Sequence, residues 1–157
     1  MNSKRIFFCL LLIIYALLLT YNVNNHFNGS TIDYNSSFFG LTALNWFFDG
    51  PDYWYLGQYI NERPYLSHPQ FITLPLWLSY LTFGTGEWQT RLVPIIFSIG
   101  SLIIIWFLLD LVFKNDWLTI GASFIYIFLP MSVYFGRMMS HEAMARFFIL
   151  LIIYLFL

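Results

Sequence analysis

The stretch LVPIIFSIGSLIIIWFLLDLVF, Leu92–Phe113, decides the fold. It runs 22 residues with one ionisable side chain, Asp110, near its end. Wound as an α-helix it measures about 33 Å, enough to cross the ~30 Å hydrocarbon core of a bilayer. Toward the C-terminus, Lys114-Asn115-Asp116 forms a short polar turn, and Trp117–Phe135 predicts a further span. Gly136–Arg146 is a polar break holding Arg137, His141, Glu142 and Arg146. A last apolar run, 147–157, is eleven residues long. A span needs ~20, so the chain reads as the N-terminal part of a longer membrane domain.

Toward the N-terminus the pattern is more varied. Pro69–Phe83 is apolar but only 15 residues long, about 22 Å as a helix, with Pro75 inside it. It reads as a helix lying in the membrane interface, against the alternative of a short crossing. Residues 22–67 hold most of the Asn and Ser, and they include Tyr53-Trp54-Tyr55, an aromatic cluster of the kind that settles at headgroup level. Within them Phe38, Leu41, Leu44 and Phe48 recur at helical spacing and predict a helix over about 34–48. Asp33 stands at its N-cap and Asp49-Gly50-Pro51 stops it. Before this loop, Lys4 and Arg5 precede an unbroken apolar stretch from Ile6. A signal peptide would share that basic start, but Tyr15–Tyr21 offers no small-x-small cleavage site, which favours a first spanning helix over 6–21. The expected layout is therefore TM1 at 6–21, an external loop at 22–91, TM2 at 92–113, TM3 at 117–135 and the start of TM4 at 147–157.

Composition agrees with lipid as the main solvent. Apolar residues make up 59% of the chain and charged residues 10%, against about 25% charge in soluble domains. Mean hydropathy is +0.68. A net charge of −1 supplies no basic field for nucleic acid, which is excluded as a partner. The single cysteine, Cys9, forms no intrachain disulfide and no Cys-based metal site.

The polar residues outside the spans fall in a definite order. Asp33-Tyr34 leads into the first loop helix and its Asp49-Gly50 turn. His68-Pro69-Gln70 opens the second. Glu87-Trp88-Gln89-Thr90-Arg91-Leu92-Val93-Pro94 enters TM2, and Arg137 with His141-Glu142 follows TM3. This ordered set resembles the GT-C superfamily of polyprenyl-phosphate-sugar-dependent glycosyltransferases, with protein O-mannosyltransferases and lipid A aminoarabinose transferases as the nearest branches. Two positions depart from that pattern: Tyr34 stands where a second acid is usual, and Glu142 where Asp is common.

The resemblance implies an all-α, GT-C-like membrane enzyme that moves a sugar from a polyprenyl-phosphate donor. The acceptor would be a protein, lipid or glycan at the extracytoplasmic face, and the reaction would invert the anomeric centre. A carboxylate suits the general base, and the resemblance assigns Asp33 that role and Glu142 a second catalytic one. Departing phosphate needs positive charge or donors. Arg91 and Arg137 fit through the planar guanidinium fork, and His68 fits with charge only below about pH 6.5. Tyr53, Trp54 and Tyr55 are candidates for stacking on a sugar.

The residues taken alone also allow plainer roles: a helix cap for Asp33, headgroup contacts for the arginines, an interfacial belt for the aromatics. His141 and Glu142 are adjacent on a helix and point apart, so no metal site is assigned, although a divalent metal is compatible with the reaction. The competing function is a non-catalytic membrane protein, a transporter fragment or assembly subunit. A transporter places polar groups at mid-depth, where these spans show few. A third reading is a lipid-binding or receptor module built on the aromatic loop.

Overall fold

The computed structural model describes residues 3–24, 31–51, 59–60, 63–64 and 70–157. Seven α-helices are seen among them: α1 (Ser3–Thr20), α2 (Thr31–Asp49), α3 (Thr73–Phe83), α4 (Glu87–Phe113), α5 (Asp116–Phe128), α6 (Pro130–Arg137) and α7 (His141–Phe156). A 3-10 turn, Gln70–Ile72, precedes α3. The only strands among the described residues are β1 (Tyr59–Ile60) and β2 (Arg63–Pro64), paired antiparallel with Tyr59 opposite Pro64. The fold is all-α, as expected, with a two-residue ladder inside the loop.

The chain forms two compact units, a bundle (Met1–Asn22, Pro94–Arg137, Glu142–Leu157) and a loop unit (Val23–Val93, Met138–His141). In the bundle, α1 and α4 are long and apolar enough to cross a membrane. At 1.5 Å per residue they measure about 27 and 40 Å. Many large apolar side chains point outward from the bundle helices, among them Leu17, Ile96, Ile125 and Ile152. Water could not solvate a surface of that kind.

At one end of the bundle Lys4 joins Asp110 and also reaches Asp116 at 2.7 Å, tying the start of α1 to the end of α4 and the start of α5. At the other end Arg137 donates to the carbonyl of Tyr21, just past α1. Gly136 sits between Leu19 and Ser98. So α4 runs antiparallel to α1, while α5 and α6 together run from the Lys4 end to the Tyr21 end. Between the ends, the Tyr15 hydroxyl lies 2.8 Å from Ser132 Oγ.

Three expected elements take a different form. Trp117–Phe135 is no straight span: α5 and α6 meet at 58°. Proline lacks an N–H and forces its predecessor out of the helical region. Leu129 accordingly adopts φ −63°, ψ 123°, and Pro130 starts α6, where no intrahelical donor is required. The second loop helix is α-helical only from Thr73, preceded by the 3-10 turn. Pro75 does not interrupt it but stands in its first turn, where its missing N–H is harmless. The polar break also shrinks. Gly136 and Arg137 close α6, His141–Arg146 open α7, and only residues 138–140 lie between the helices.

The span expected over 92–113 starts earlier, at Glu87. Asn115 caps α5 by accepting from the N–H groups of Trp117 and Leu118. Gly50, with φ 88°, ends α2 by donating to the Trp46 carbonyl at 3.0 Å.

Close helix packing gives a stability prediction. A Cβ at Gly136 would stand 2.7 Å from Leu19 Cδ2 and 3.0 Å from Ser98 Oγ. Gly136→Val is therefore expected to cost about 1–3 kcal/mol through overpacking. That is a fall of roughly 2–10 °C in Tm for a domain of this size. Gly121 on α5 faces open space, so Gly121→Ala should hold or raise Tm through helix propensity, by up to about 1 kcal/mol. Thermal unfolding of the purified variants reads both.

Candidate functional site

In the loop unit, α2 and α3 pack through buried Phe39, Ala43, Trp46, Leu76 and Tyr80. The Trp77 indole donates to the Trp46 carbonyl at 3.1 Å. Ser79 donates to the carbonyl of Gln89 at 3.1 Å, and the Gln89 amide returns a bond to Phe83. These bonds fix the first turn of α4 against α3. They also position Arg91, which is 8% exposed and donates through Nη1 to the Val23 carbonyl at 2.7 Å.

Asp33 lies in the first turn of α2, two residues inside the helix and not at its N-cap. Only its backbone position is described. An acid there is favoured by the partial positive charge of the helix N-terminus. Glu142 has the equivalent place in the first turn of α7 and is half-buried. Asp33 belongs to the loop unit and Glu142 to the bundle. Arg137 is the last residue of α6, half-buried, with its guanidinium on the Tyr21 carbonyl. His68, Tyr53, Trp54 and Tyr55 lie outside the described residues. Among the described residues no three His, Cys, Asp or Glu side chains come together.

Two features carry no signal at the sequence level. Arg146 is held inside the bundle, donating to Ser98 Oγ at 2.9 Å with its guanidinium carbon 5.7 Å from the centre of the Tyr126 ring, a cation–π contact. Nearby spans hold more polar groups than expected: Ser98, Ser101, Thr119, Ser123 and Ser132 are all buried. Ser101 and Thr119 bond back to carbonyls of their own helices, and small side chains of this kind let helices approach closely in lipid. Ser98 and Ser132 instead meet the side chains of Arg146 and Tyr15.

The second feature is a hydroxyl pair. Tyr80 Oη lies 2.6 Å from Thr90 Oγ1, and Thr90 donates to the Gly86 carbonyl at 2.8 Å. Thr90 has one proton to give, so Tyr80 is the donor between the two. Burial, together with the negative charge of Glu87, holds the Tyr80 pKa above its usual value, and the phenol stays protonated.

Apolar helices with outward hydrophobic surfaces and charges gathered at the helix ends define an integral membrane protein of the all-α class. The family described as dolichyl-phosphate-mannose-protein mannosyltransferase matches residues 67–157, more than half of the chain. The chain belongs to this family, a membrane glycosyltransferase family of the GT-C type. No curated protein and no solved structure matches it. The matched stretch contains Arg91, Arg137 and Glu142, and Asp33 lies outside it.

Proposed function

We propose that this chain belongs to an enzyme that moves mannose from a polyprenyl-phosphate carrier to a protein acceptor at the extracytoplasmic membrane face. An acceptor hydroxyl attacks the anomeric carbon and gives its proton to the Asp33 carboxylate. The bond from that carbon to the phosphate oxygen breaks, and polyprenyl phosphate leaves with inverted stereochemistry at the sugar. Arg91, Arg137 and His68 stabilise the leaving phosphate. Tyr53, Trp54 and Tyr55 stack on a sugar ring. Glu142 orients the acceptor or holds an arginine in place; Arg146, four residues on, shares its helix face.

The observation that carries this reading is the family match over 67–157. The bundle supports the topology. The basic end with Lys4 belongs in the cytoplasm. The chain leaves the bundle after α1 and returns in α4 at the same, opposite end, so the segment between makes an even number of crossings. Its α3 has eleven residues, about 16 Å, too short to cross. Arg137 then falls on the outer side with Tyr21, and the bent pair α5–α6 is one broken span.

Transfer is tested with the full-length protein in nanodiscs, radiolabelled polyprenyl-phosphate mannose and a Ser/Thr-rich acceptor protein. Label appearing on the protein is expected, and its absence overturns the activity. Sidedness is tested in a Cys9→Ser background. An impermeant thiol reagent added outside intact cells should modify Thr85→Cys and spare Trp117→Cys; both positions are exposed. Modification of Trp117→Cys alone would reverse the topology.

A further inference from the structure

The last two turns of α4 and the end of α7 enclose a groove of about 590 Å³ in the bundle. That size lies within the ~300–1,000 Å³ usual for small-molecule sites. Phe107 and Leu111 line it from α4, Tyr154 and Leu155 from α7, and the Phe107 and Tyr154 rings are 6.3 Å apart. All four side chains are exposed, so the lining is open to a ligand. The groove lies at the Lys4 end of the bundle, which also carries the exposed Trp117. An aromatic of that kind settles at headgroup level.

Two opposite charges, Asp110 and Lys114, belong to the lining. Lys4 binds Oδ1 of Asp110, which leaves the second carboxylate oxygen to accept. Lys114 follows the last residue of α4 and pairs with no carboxylate among the described residues. Its backbone is left-handed, with φ 49°, a helix-ending conformation that favours glycine, yet the position holds a cation. A free acceptor and an unpaired cation beside apolar walls match a zwitterionic lipid headgroup. Its phosphate meets Lys114, and an ammonium with N–H donors meets Asp110. Choline has no N–H to donate, and an anionic headgroup is repelled by Asp110.

We infer that this groove binds an ethanolamine phospholipid, its phosphate on Lys114, its ammonium donating to Asp110 and its first acyl carbons lying on Phe107 and Leu111. No residue of the proposed transfer reaction takes part, so the site stands apart from that reading. Only its assignment to the cytoplasmic leaflet rests on the proposed topology, which labelling of Thr85→Cys and Trp117→Cys reads separately.

The test is native mass spectrometry of the full-length protein, titrated in detergent with dioleoyl phosphatidylethanolamine, phosphatidylcholine and phosphatidylglycerol. The ethanolamine lipid should bind at least about fivefold tighter than the choline lipid, since only it makes the charge-assisted hydrogen bond. Lys114→Gly suits the left-handed backbone, so the helix end is kept, and it should weaken the ethanolamine lipid about fivefold. Arg5→Gln removes an exposed cation from the same end of the bundle outside the groove and should bind as wild type. Asp110→Asn, in which Lys4 keeps Asp116, should lower the ethanolamine lipid to the affinity of the choline lipid. Leu111→Trp, at an exposed position, fills the groove and should weaken both.

Equal affinity for the ethanolamine and choline lipids, or tighter binding of the glycerol lipid, overturns the site. So does a loss on Arg5→Gln as large as that on Lys114→Gly, or a preference that survives both Lys114→Gly and Asp110→Asn. Each of these outcomes leaves the transfer assay to stand by itself. An intact lipid preference in a protein without transfer activity upholds the site and removes only the transferase reading.

Discussion

Transfer by the full-length protein carrying Asp33→Asn should fall about 10²–10⁴-fold, the usual contribution of a positioned general base. Asparagine has nearly the shape of aspartate and keeps one accepting oxygen, with an amide NH₂ in place of the other, but it does not take the acceptor's proton at neutral pH. The place of Asp33 in the first turn of α2 makes this a discriminating change. If the acid only complements the helix N-terminus, its loss costs about 0.3–1 kcal/mol. That is a small effect on stability and none on chemistry. Asp49, the exposed last residue of the same helix, supplies the control. Asp49→Asn should transfer at nearly the wild-type rate. Initial rates at saturating donor, with membrane levels checked by immunoblot, decide the matter. More than a tenth of wild-type activity in Asp33→Asn would show that the proton goes elsewhere.

The second large effect is expected at Arg91. A charge-assisted hydrogen bond contributes roughly 1.5–3 kcal/mol, so Arg91→Ala should lower kcat/KM for the polyprenyl-phosphate donor by about 10–10²-fold. Its bond to the Val23 carbonyl gives the residue a structural duty as well, and the two roles separate by their kinetics. Loss of a phosphate ligand raises the donor KM and leaves the acceptor KM alone. Loss of a strut disturbs both and lowers Tm. Arg91→Lys sharpens the contrast, because lysine keeps the charge but lacks the planar fork. It should recover part of the donor affinity and little of any lost stability. Equal changes in donor and acceptor kinetics would assign Arg91 to the scaffold.

The candidate residues differ in how far the sequence exposed them. Arg91 and Arg137 stood out as the cations flanking apolar runs, and both prove to hold backbone carbonyls next to α1, of Val23 and Tyr21. No pattern announces such a partner, because a carbonyl belongs to every residue. Lys4 and Asp110 are 106 residues apart and meet only because α1 and α4 pack antiparallel. Glu87 was visible inside the Glu87–Pro94 motif without a role. Tyr80 and Thr90 looked like ordinary members of apolar and polar runs, and their shared proton chain depends on α3 meeting the first turn of α4. In the sequence Arg146 belongs to a polar break; the start of α7 at His141 carries it to Ser98 and Tyr126.

By itself the sequence determined that this is a helical membrane protein and that most of its ionisable groups lie outside the apolar runs. Those properties follow from local causes: the transfer energy of apolar side chains into lipid and the fixed dihedral demands of Pro and Gly. Tertiary structure alone decided that the bent pair of α5 and α6 still runs the length of α1. It also decided which carbonyls the arginines hold, and that Tyr80 meets Thr90. Each of these depends on side chains from segments far apart in the chain meeting at hydrogen-bond distance, and such a meeting has no period or composition from which to be read.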